Sequence, residues 1–162
     1  MQVRKFKEED AEAVSEIMNA AFYAFLGDRM DEFDRKSFSP EVLKRISNCS
    51  NSDGGSASFV AEDGGEIVGY IRGTAKNIIG LGSLEVVGIK PDIFSKGVGT
   101  ALMKELEKFW RDNGMRKIST CVSAHNTRAL IYYIKNGFVP EGYRRDHFKV
   151  GVDEIILGRF LK

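Results

Sequence analysis

Apolar and polar residues alternate from Gln2 to Phe6, which predicts a short first strand. Glu8, Glu9, Asp10 and Glu12 then crowd a helix start, where negative charge is favoured. Val14, Ile17, Met18, Ala21, Phe22 and Phe25 follow at helical spacing and predict one buried stripe, ended by Gly27. From Asp28 to Ser39 acids, bases and aromatics mix without a clear period, and Pro40 opens a short second helix through Ile46. Asn48 to Ser58 is rich in Ser, Gly and Asn and reads as a flexible loop. Ala57 to Glu62 and Glu66 to Thr74 flank Asp63-Gly64-Gly65, a hairpin signal. Gly80-Leu81-Gly82 turns the chain into the apolar strand Leu84 to Ile89, which Pro91 stops.

Val98, Ala101, Leu102, Leu106 and Phe109 then form the stripe of an amphipathic helix, capped by Gly114. Lys117 to Ser123 is the next strand, so the unit is a strand–helix–strand crossover, expected to be parallel and right-handed. Asn126 and Thr127 cap a helix from Arg128 to Lys135 that stops at Asn136-Gly137. Phe138 to Lys149 and Val152 to Leu161 pair as closing strands around Gly151. The expected fold class is α/β: a mixed sandwich, antiparallel at first, with a parallel pair in the middle.

Bulk properties narrow the class without naming a function. A chain of 162 residues, 43% apolar and 29% charged, suits one soluble domain spanning residues 1–162. Charge is balanced, 24 Lys and Arg against 23 Asp and Glu, so no nucleic-acid partner and no membrane surface is implied. No apolar run approaches the roughly 20 residues of a membrane span. The start, Met1-Gln-Val-Arg-Lys5, carries no secretory signal. Cys49 and Cys121 form neither metal spacing nor a disulfide framework, so no metal is expected and a cytoplasmic setting is the default. Asn48-Cys49-Ser50 formally matches a glycosylation acceptor, which has no meaning without a secretory route.

The candidate chemistry begins where Leu84 to Ile89 runs through Pro91 into the turn Ser95 to Thr100 and its helix. Backbone N–H groups converge at a glycine turn that opens a helix, and the helix dipole adds about half a positive charge, so the turn suits an anion such as a phosphate. An ordinary tight turn would read the same. No Gly-x-x-x-x-Gly-Lys-[Ser/Thr] run exists, and Leu102 stands where a dinucleotide fingerprint needs a third glycine after Gly97 and Gly99.

Two motifs together resemble the GCN5-related N-acetyltransferase (GNAT) superfamily, and within it the ribosomal-protein N-terminal acetyltransferase type. One is Val87-Gly88-Ile89-Lys90-Pro91 with Gly97-Val98-Gly99-Thr100-Ala101-Leu102. The other is Asn126, Ala129, Tyr133, Gly137 and Phe138 at the family's spacing. The resemblance covers essentially the whole chain in element order. It implies a mostly antiparallel sheet of about seven strands with a central parallel pair and about four helices. It also implies acetyl-CoA as cosubstrate and an amine acceptor, and it allows a homodimer. By resemblance the pantetheine arm pairs with the backbone of Val87, Gly88 and Ile89. The pyrophosphate rests on Ser95, Lys96, Gly97, Val98, Gly99 and Thr100. Asn126 both caps its helix and touches the coenzyme. Phe94 departs from the pattern, which has Gln or Arg there; Ser95 and Lys96 keep a hydroxyl and a cation nearby. Gly97 and Gly99 are expected to be glycines because a side chain would block backbone approach to phosphate.

Acetyl transfer requires the amine to lose a proton, an N–H donor for the developing oxyanion, and a proton for the leaving thiolate. Tyr133 shares a helix face with Asn126 and Ala129 and is the candidate acid, since a phenol with pKa about 10 is protonated at neutral pH. Packing alone would also explain it, and Tyr132, about 100° away, reads as core or surface. Glu85 is expected to share strand parity with Val87 and Ile89 and is the candidate base, or else a structural carboxylate. Some relatives carry a Glu where this chain has Cys121, which reads as a buried, inert strand thiol, with an acyl-carrying nucleophile as the alternative. His125 reads as solvated. Asp28, Asp31, Glu32 and Asp34 hint at a cationic acceptor, either a small-molecule amine or a protein N-terminus. A non-catalytic acyl-CoA-binding module is the alternative of a different class.

Overall fold

Trp110 shows why the sheet carries glycines where it does. Its indole is fully buried and donates Nε1–H to the Thr74 carbonyl at 2.8 Å. A Cβ on Gly73 would lie 2.7 Å from the indole, and one on Gly82 would lie 2.7 Å from it and 2.8 Å from Ile118. The ring therefore fits only between two bare backbone positions on neighbouring strands. The computed structural model describes residues 1–47, 50–51, 54–93 and 96–161. Asn48, Cys49, Phe94 and Ser95, singled out above, lie outside that set.

Eight strands are described: β1 (Gln2–Lys5), β2 (Ser50–Asn51), β3 (Gly54–Asp63), β4 (Glu66–Lys76), β5 (Leu81–Ile89), β6 (Lys117–Ser123), β7 (Val139–Lys149) and β8 (Val152–Phe160). The sheet order is β1-β3-β4-β5-β6-β8-β7, with the two-residue β2 beside β3. All neighbours are antiparallel except β5 and β6, the expected central parallel pair. The helices are α1 (Ala11–Leu26), α2 (Glu32–Ser37), α3 (Pro40–Ile46), α4 (Val98–Asp112) and α5 (Thr127–Lys135). Among the described residues no helix is long and apolar enough to cross a membrane.

Several local signals perform as expected. Gly64 and Gly65 take positive φ and join β3 to β4. Gly27 caps α1, and Ser39 Oγ accepts the Val42 N–H to start α3 over Pro40. Two readings change. The expected loop Asn48 to Ser58 is shorter, because Gly54 to Ser58 already pair with Lys76 to Arg72. Their small side chains mimic loop composition but leave room for α4, against which Ala57 packs. The unpatterned stretch from Asp28 to Ser39 contains a fifth helix, α2. Asp31 and Asp34 cap it reciprocally: the Asp34 N–H donates to Asp31 Oδ1 at 3.0 Å, and the Asp31 N–H to Asp34 Oδ2 at 2.9 Å.

The two sheet faces hold separate cores. Helices α4 and α5 cover one face through Val98, Leu102, Leu106, Trp110 and Tyr133. The α4 stripe thus ends on Trp110, four residues after Leu106, rather than on the half-buried Phe109. Helices α1 and α3 cover the other face through Val14, Ile17, Met18 and Leu43 against Val60 and Tyr70. Arg4 ties β1 to the start of α1 by donating to both oxygens of the buried Asp10 at 2.8 Å, and the Lys7 N–H adds a third bond at 2.8 Å. Burial alone would raise the Asp10 carboxyl; these bonds hold it below the usual range.

Gly82→Ala should overpack the Trp110 site and cost about 1–3 kcal/mol. At about 2–4 °C per kcal/mol for a chain this long, the melting temperature should fall by several degrees. Asp10 contributes stability above its unfolded pKa of about 3.9, and that contribution is lost as pH falls through its lower folded value. Arg4→Met should therefore destabilise the chain at pH 7 and much less near pH 2, measured by urea titration at both pH values.

Candidate functional site

The parallel contact between β5 and β6 is brief. Leu81 faces Lys117, Gly82 faces Ile118 and Ser83 faces Ser119, and among the described residues the ladder goes no further. Beyond it, β5 continues to Ile89 and β6 to Ser123, so the two strands fork. At the apex the Thr120 hydroxyl donates to the Leu84 carbonyl at 3.0 Å, a side chain taking over where backbone pairing stops. The edge of β5 from Glu85 to Ile89 that faces β6 is thus left to one side of the fork. Its other edge is paired with β4.

A bulge re-aims the site. Arg72 on β4 faces Val86, and the next residue, Gly73, faces Leu84, so Glu85 is an extra residue on β5. The parity expected to unite Glu85 with Val87 and Ile89 is broken by that insertion. Val87 and Ile89 pack with the α4 core. Val86 joins the α1 core, and a Cβ on Gly88 would meet Met18 Sδ of α1 at 2.6 Å. Glu85 is exposed, lies 3.3 Å from the Thr74 hydroxyl that donates to it, and faces a cavity on the α1 side.

That cavity has a volume of about 470 Å³. Glu85, Cys121 and Glu154, from β5, β6 and β8, line its sheet wall, and Phe22, Phe25 and Phe38 line the helical wall. Lys149 at the end of β7 ties its rim by donating to the Arg29 carbonyl and to Asp31 at 2.8 Å, and to Asp34. Asp31 and Asp34 are therefore partners of Lys149, and Glu32 pairs with Lys36 at 2.8 Å. Three of the four acids that hinted at a cationic acceptor, Asp31, Glu32 and Asp34, are thus engaged within the fold, while Asp28 lies in the short turn after α1.

On the opposite side of the fork stands Tyr133, 5% exposed and packed edge-on against Phe138. Its phenol meets the Thr120 side chain. Burial pushes the Tyr133 phenol up to about 12. Sequence reasoning found Tyr133 but not Thr120, since nothing in Lys117–Ser123 marks one threonine as the apex. The Asn126 carboxamide oxygen accepts the Ala129 N–H at 3.1 Å, as expected of a cap.

Tyr132 also gains a role that periodicity did not show. Its hydroxyl donates to the Gly99 carbonyl at 2.8 Å, joining α5 to the first turn of α4. A Cβ on Gly99 would lie 2.8 Å from the Tyr132 ring and 3.0 Å from Ile89. Gly99 is thus required by packing and Gly97 by its left-handed φ of 82°, reasons distinct from access by a phosphate. The α4 ladder starts with the Ala101 N–H donating to the Gly97 carbonyl, so the N–H groups of Val98, Gly99 and Thr100 precede it and can meet an anion. Lys96 stands beside them; Ser95 lies outside the described residues.

Cys121 is exposed rather than buried within its strand. Partial desolvation and the carboxylates of Glu154 and Glu85 push its thiol up, against the opposing charge of Arg144. His125 is exposed on the turn after β6, where its N–H donates to Ser123 Oγ at 3.3 Å.

The acetyltransferase (GNAT) family model matches residues 12–138. An uncharacterized N-acetyltransferase of Methanocaldococcus jannaschii is 27% identical over 168 residues, spanning 97% of this chain and 90% of its own length. Among solved structures, the Paia N-acetyltransferase of Thermoplasma acidophilum, in complex with coenzyme A, shares the fold with a TM-score of 0.78 and 22% identity, covering 99% of this chain and 98% of that one. The ribosomal-protein-alanine N-acetyltransferase of Brucella melitensis does so with a TM-score of 0.75 and 20% identity, over 99% and 100%.

Thr120→Val keeps the volume of the apex residue but leaves the Leu84 carbonyl without the hydroxyl that meets it. It should cost about 1–3 kcal/mol in urea unfolding, the penalty of a buried group left unpaired. Unchanged stability would mean that the hydroxyl does not hold the apex.

Proposed function

This chain belongs to the acetyltransferase (GNAT) family, and we propose that it is an acetyl-CoA-dependent N-acetyltransferase that passes the acetyl group directly to a primary amine. The observation that carries this reading is the forked β5–β6 junction, with a buried phenol on one side and a carboxylate-walled cavity on the other. Two features of the chain fit the coenzyme: the β5 edge left free by the fork, and the N–H groups that precede the α4 ladder. The coenzyme A bound by the Thermoplasma acidophilum neighbour supports the same assignment.

In this reading acetyl-CoA supplies an acyl group activated as a thioester. The backbone of Val87, Gly88 and Ile89 pairs with the pantetheine arm as an added strand. Ser95 to Thr100, with Lys96, hold the pyrophosphate. The Asn126 carboxamide NH2, left over after its oxygen has capped α5, is available as a donor to the arm. Glu85 accepts the proton of the incoming ammonium through water, freeing the lone pair that forms the new C–N bond. A backbone N–H of Val87 to Ile89 stabilises the oxyanion. Tyr133 donates to the sulfur as the C–S bond breaks. Its raised pKa keeps the phenol in its donor form, and the same dry surroundings raise the affinity of the thiolate for a proton.

Thiol release from acetyl-CoA across a panel of small amines and N-terminal peptides tests the activity. Tyr133→Phe should bind coenzyme A normally by calorimetry but lose about 10²-fold in kcat. Glu85→Gln should lower kcat/KM most at neutral pH, where amines are protonated. If both variants turned over a verified acceptor at the wild-type rate, the residue assignment would be wrong. A chain that binds acetyl-CoA yet acetylates no amine would be the non-catalytic acyl-CoA-binding module instead. The activity should not fall between pH 7 and 10 through loss of the Tyr133 proton, because that group titrates near 12.

A further inference from the structure

The cavity beside Glu85 holds charged side chains that make no ion pair among the described residues, although Arg144 on β7 stands opposite Glu154 on β8. Arg72 lines it from β4. Its Nε donates to the Ile46 carbonyl at the end of α3 at 3.3 Å. Among the described residues its terminal nitrogens meet no carboxylate. Glu85 and Glu154 line the same cavity from β5 and β8, and neither is in an ion pair among the described residues. The fourth charged lining residue, Asp34, is neutralised by Lys149. One guanidinium and two carboxylates that form no ion pair among the described residues therefore share a space of about 470 Å³, walled by Phe22, Phe25, Phe38 and Phe148. Arg72 and Glu154 are half-buried, and leaving such charges unpaired is costly unless a ligand completes them, while Glu85 is exposed at the same cavity.

We infer that the acceptor is a free α-amino acid with an aromatic or branched apolar side chain. This rests on the transferase reading and names its substrate class. The arrangement matches a zwitterion with an apolar tail. Arg72 takes the α-carboxylate through its planar fork. Glu85 and Glu154 draw the α-ammonium to the side of the cavity nearest the fork. The phenylalanine walls take the side chain, and the volume is in the range of small-molecule sites. A protein N-terminus fits less well, because its first residue carries an amide where Arg72 presents a cation. The reaction balances without a further reactant. The ammonium gives one proton to Glu85, which passes it to solvent, and its nitrogen gains the acetyl carbon as the C–S bond breaks; the sulfur leaves as a thiol with the Tyr133 proton, and the second proton shed by the nitrogen restores the Tyr133 phenol. The products are an N-acetylamino acid and coenzyme A.

The full chain is assayed by thiol release with L-phenylalanine, L-phenylalaninamide and a short peptide beginning with phenylalanine. Calorimetry measures binding of L-phenylalanine to the chain saturated with coenzyme A. The free acid should exceed the amide and the peptide in kcat/KM by about tenfold or more, mainly through KM, as expected for a charge-assisted pair. Arg72→Gln should erase that preference, lowering kcat/KM for the free acid about tenfold more than for the amide. Turnover of the amide also shows that the variant is folded, and the acid-against-amide comparison on the wild-type chain needs no variant at all. An amide or peptide preferred to the acid, or no binding of L-phenylalanine, would overturn the inference while leaving the transferase reading standing if any amine is acetylated. Binding of L-phenylalanine that Arg72→Gln abolishes, with no thiol released from any acceptor, would support the amino-acid site and sink the transferase reading.

Discussion

The site depends on the early end of the parallel ladder between β5 and β6. Three residue pairs hold the strands together, and then the Thr120 hydroxyl, not a backbone N–H, meets the Leu84 carbonyl. A ladder carried on to Ile89 would have used the β5 edge internally. Because it stops, a row of backbone groups is offered to one side, in a sheet whose other junctions are closed by antiparallel pairing. The apex also brings the Tyr133 phenol to Thr120, so the point where pairing fails is the point where a buried donor arrives.

The bulge at Glu85 gives the fork its two sides. One inserted residue leaves Val87 and Ile89 on the α4 face and puts Glu85 beside the cavity under α1. Without it, Glu85 would share their face, away from the cavity. The insertion therefore separates the strand that could align a ligand from the carboxylate that could act on it. Across the sheet, Tyr132 fixes the other half of the arrangement by bonding to Gly99, which joins α5 to the mouth of α4. Behind them the Trp110 indole, set between Gly73 and Gly82, holds α4 against β4 and β5.

Charge in the cavity region divides into two populations. Asp31 and Asp34 face Lys149 and are consumed in joining the end of β7 to α2. Arg72, Glu85 and Glu154 have no such partner among the described residues, and they come from three different strands. Counting acids along the chain directs attention to the first group, because Asp28 to Asp34 is one of the stretches where acids cluster in sequence. The second group is dispersed over 83 positions, Arg72 to Glu154 inclusive, and becomes a group only when the sheet is assembled.

Most of the architecture was legible in the chain itself. Local chemistry marks it: the Gly64-Gly65 turn, Pro40 after its Ser39 cap, the Asn126 cap, and the helical periods of α1 and α4. The motifs around Gly97 and Tyr133 also marked the family, because backbone demands and helix-face spacing are local properties. The tertiary structure decided what depends on residues far apart in sequence. It drew strand out of the glycine–serine stretch before Ser58, and it made a helix of Glu32–Ser37. It gave Gly99 a packing reason through Tyr132. The opening stretch, read first as strand, turn and helix, became a fork because a bulge is a mismatch between two strands. Neither strand carries that mismatch alone, and so neither the orientation of Glu85 nor the part played by Thr120 could be read before β4, β5 and β6 were side by side.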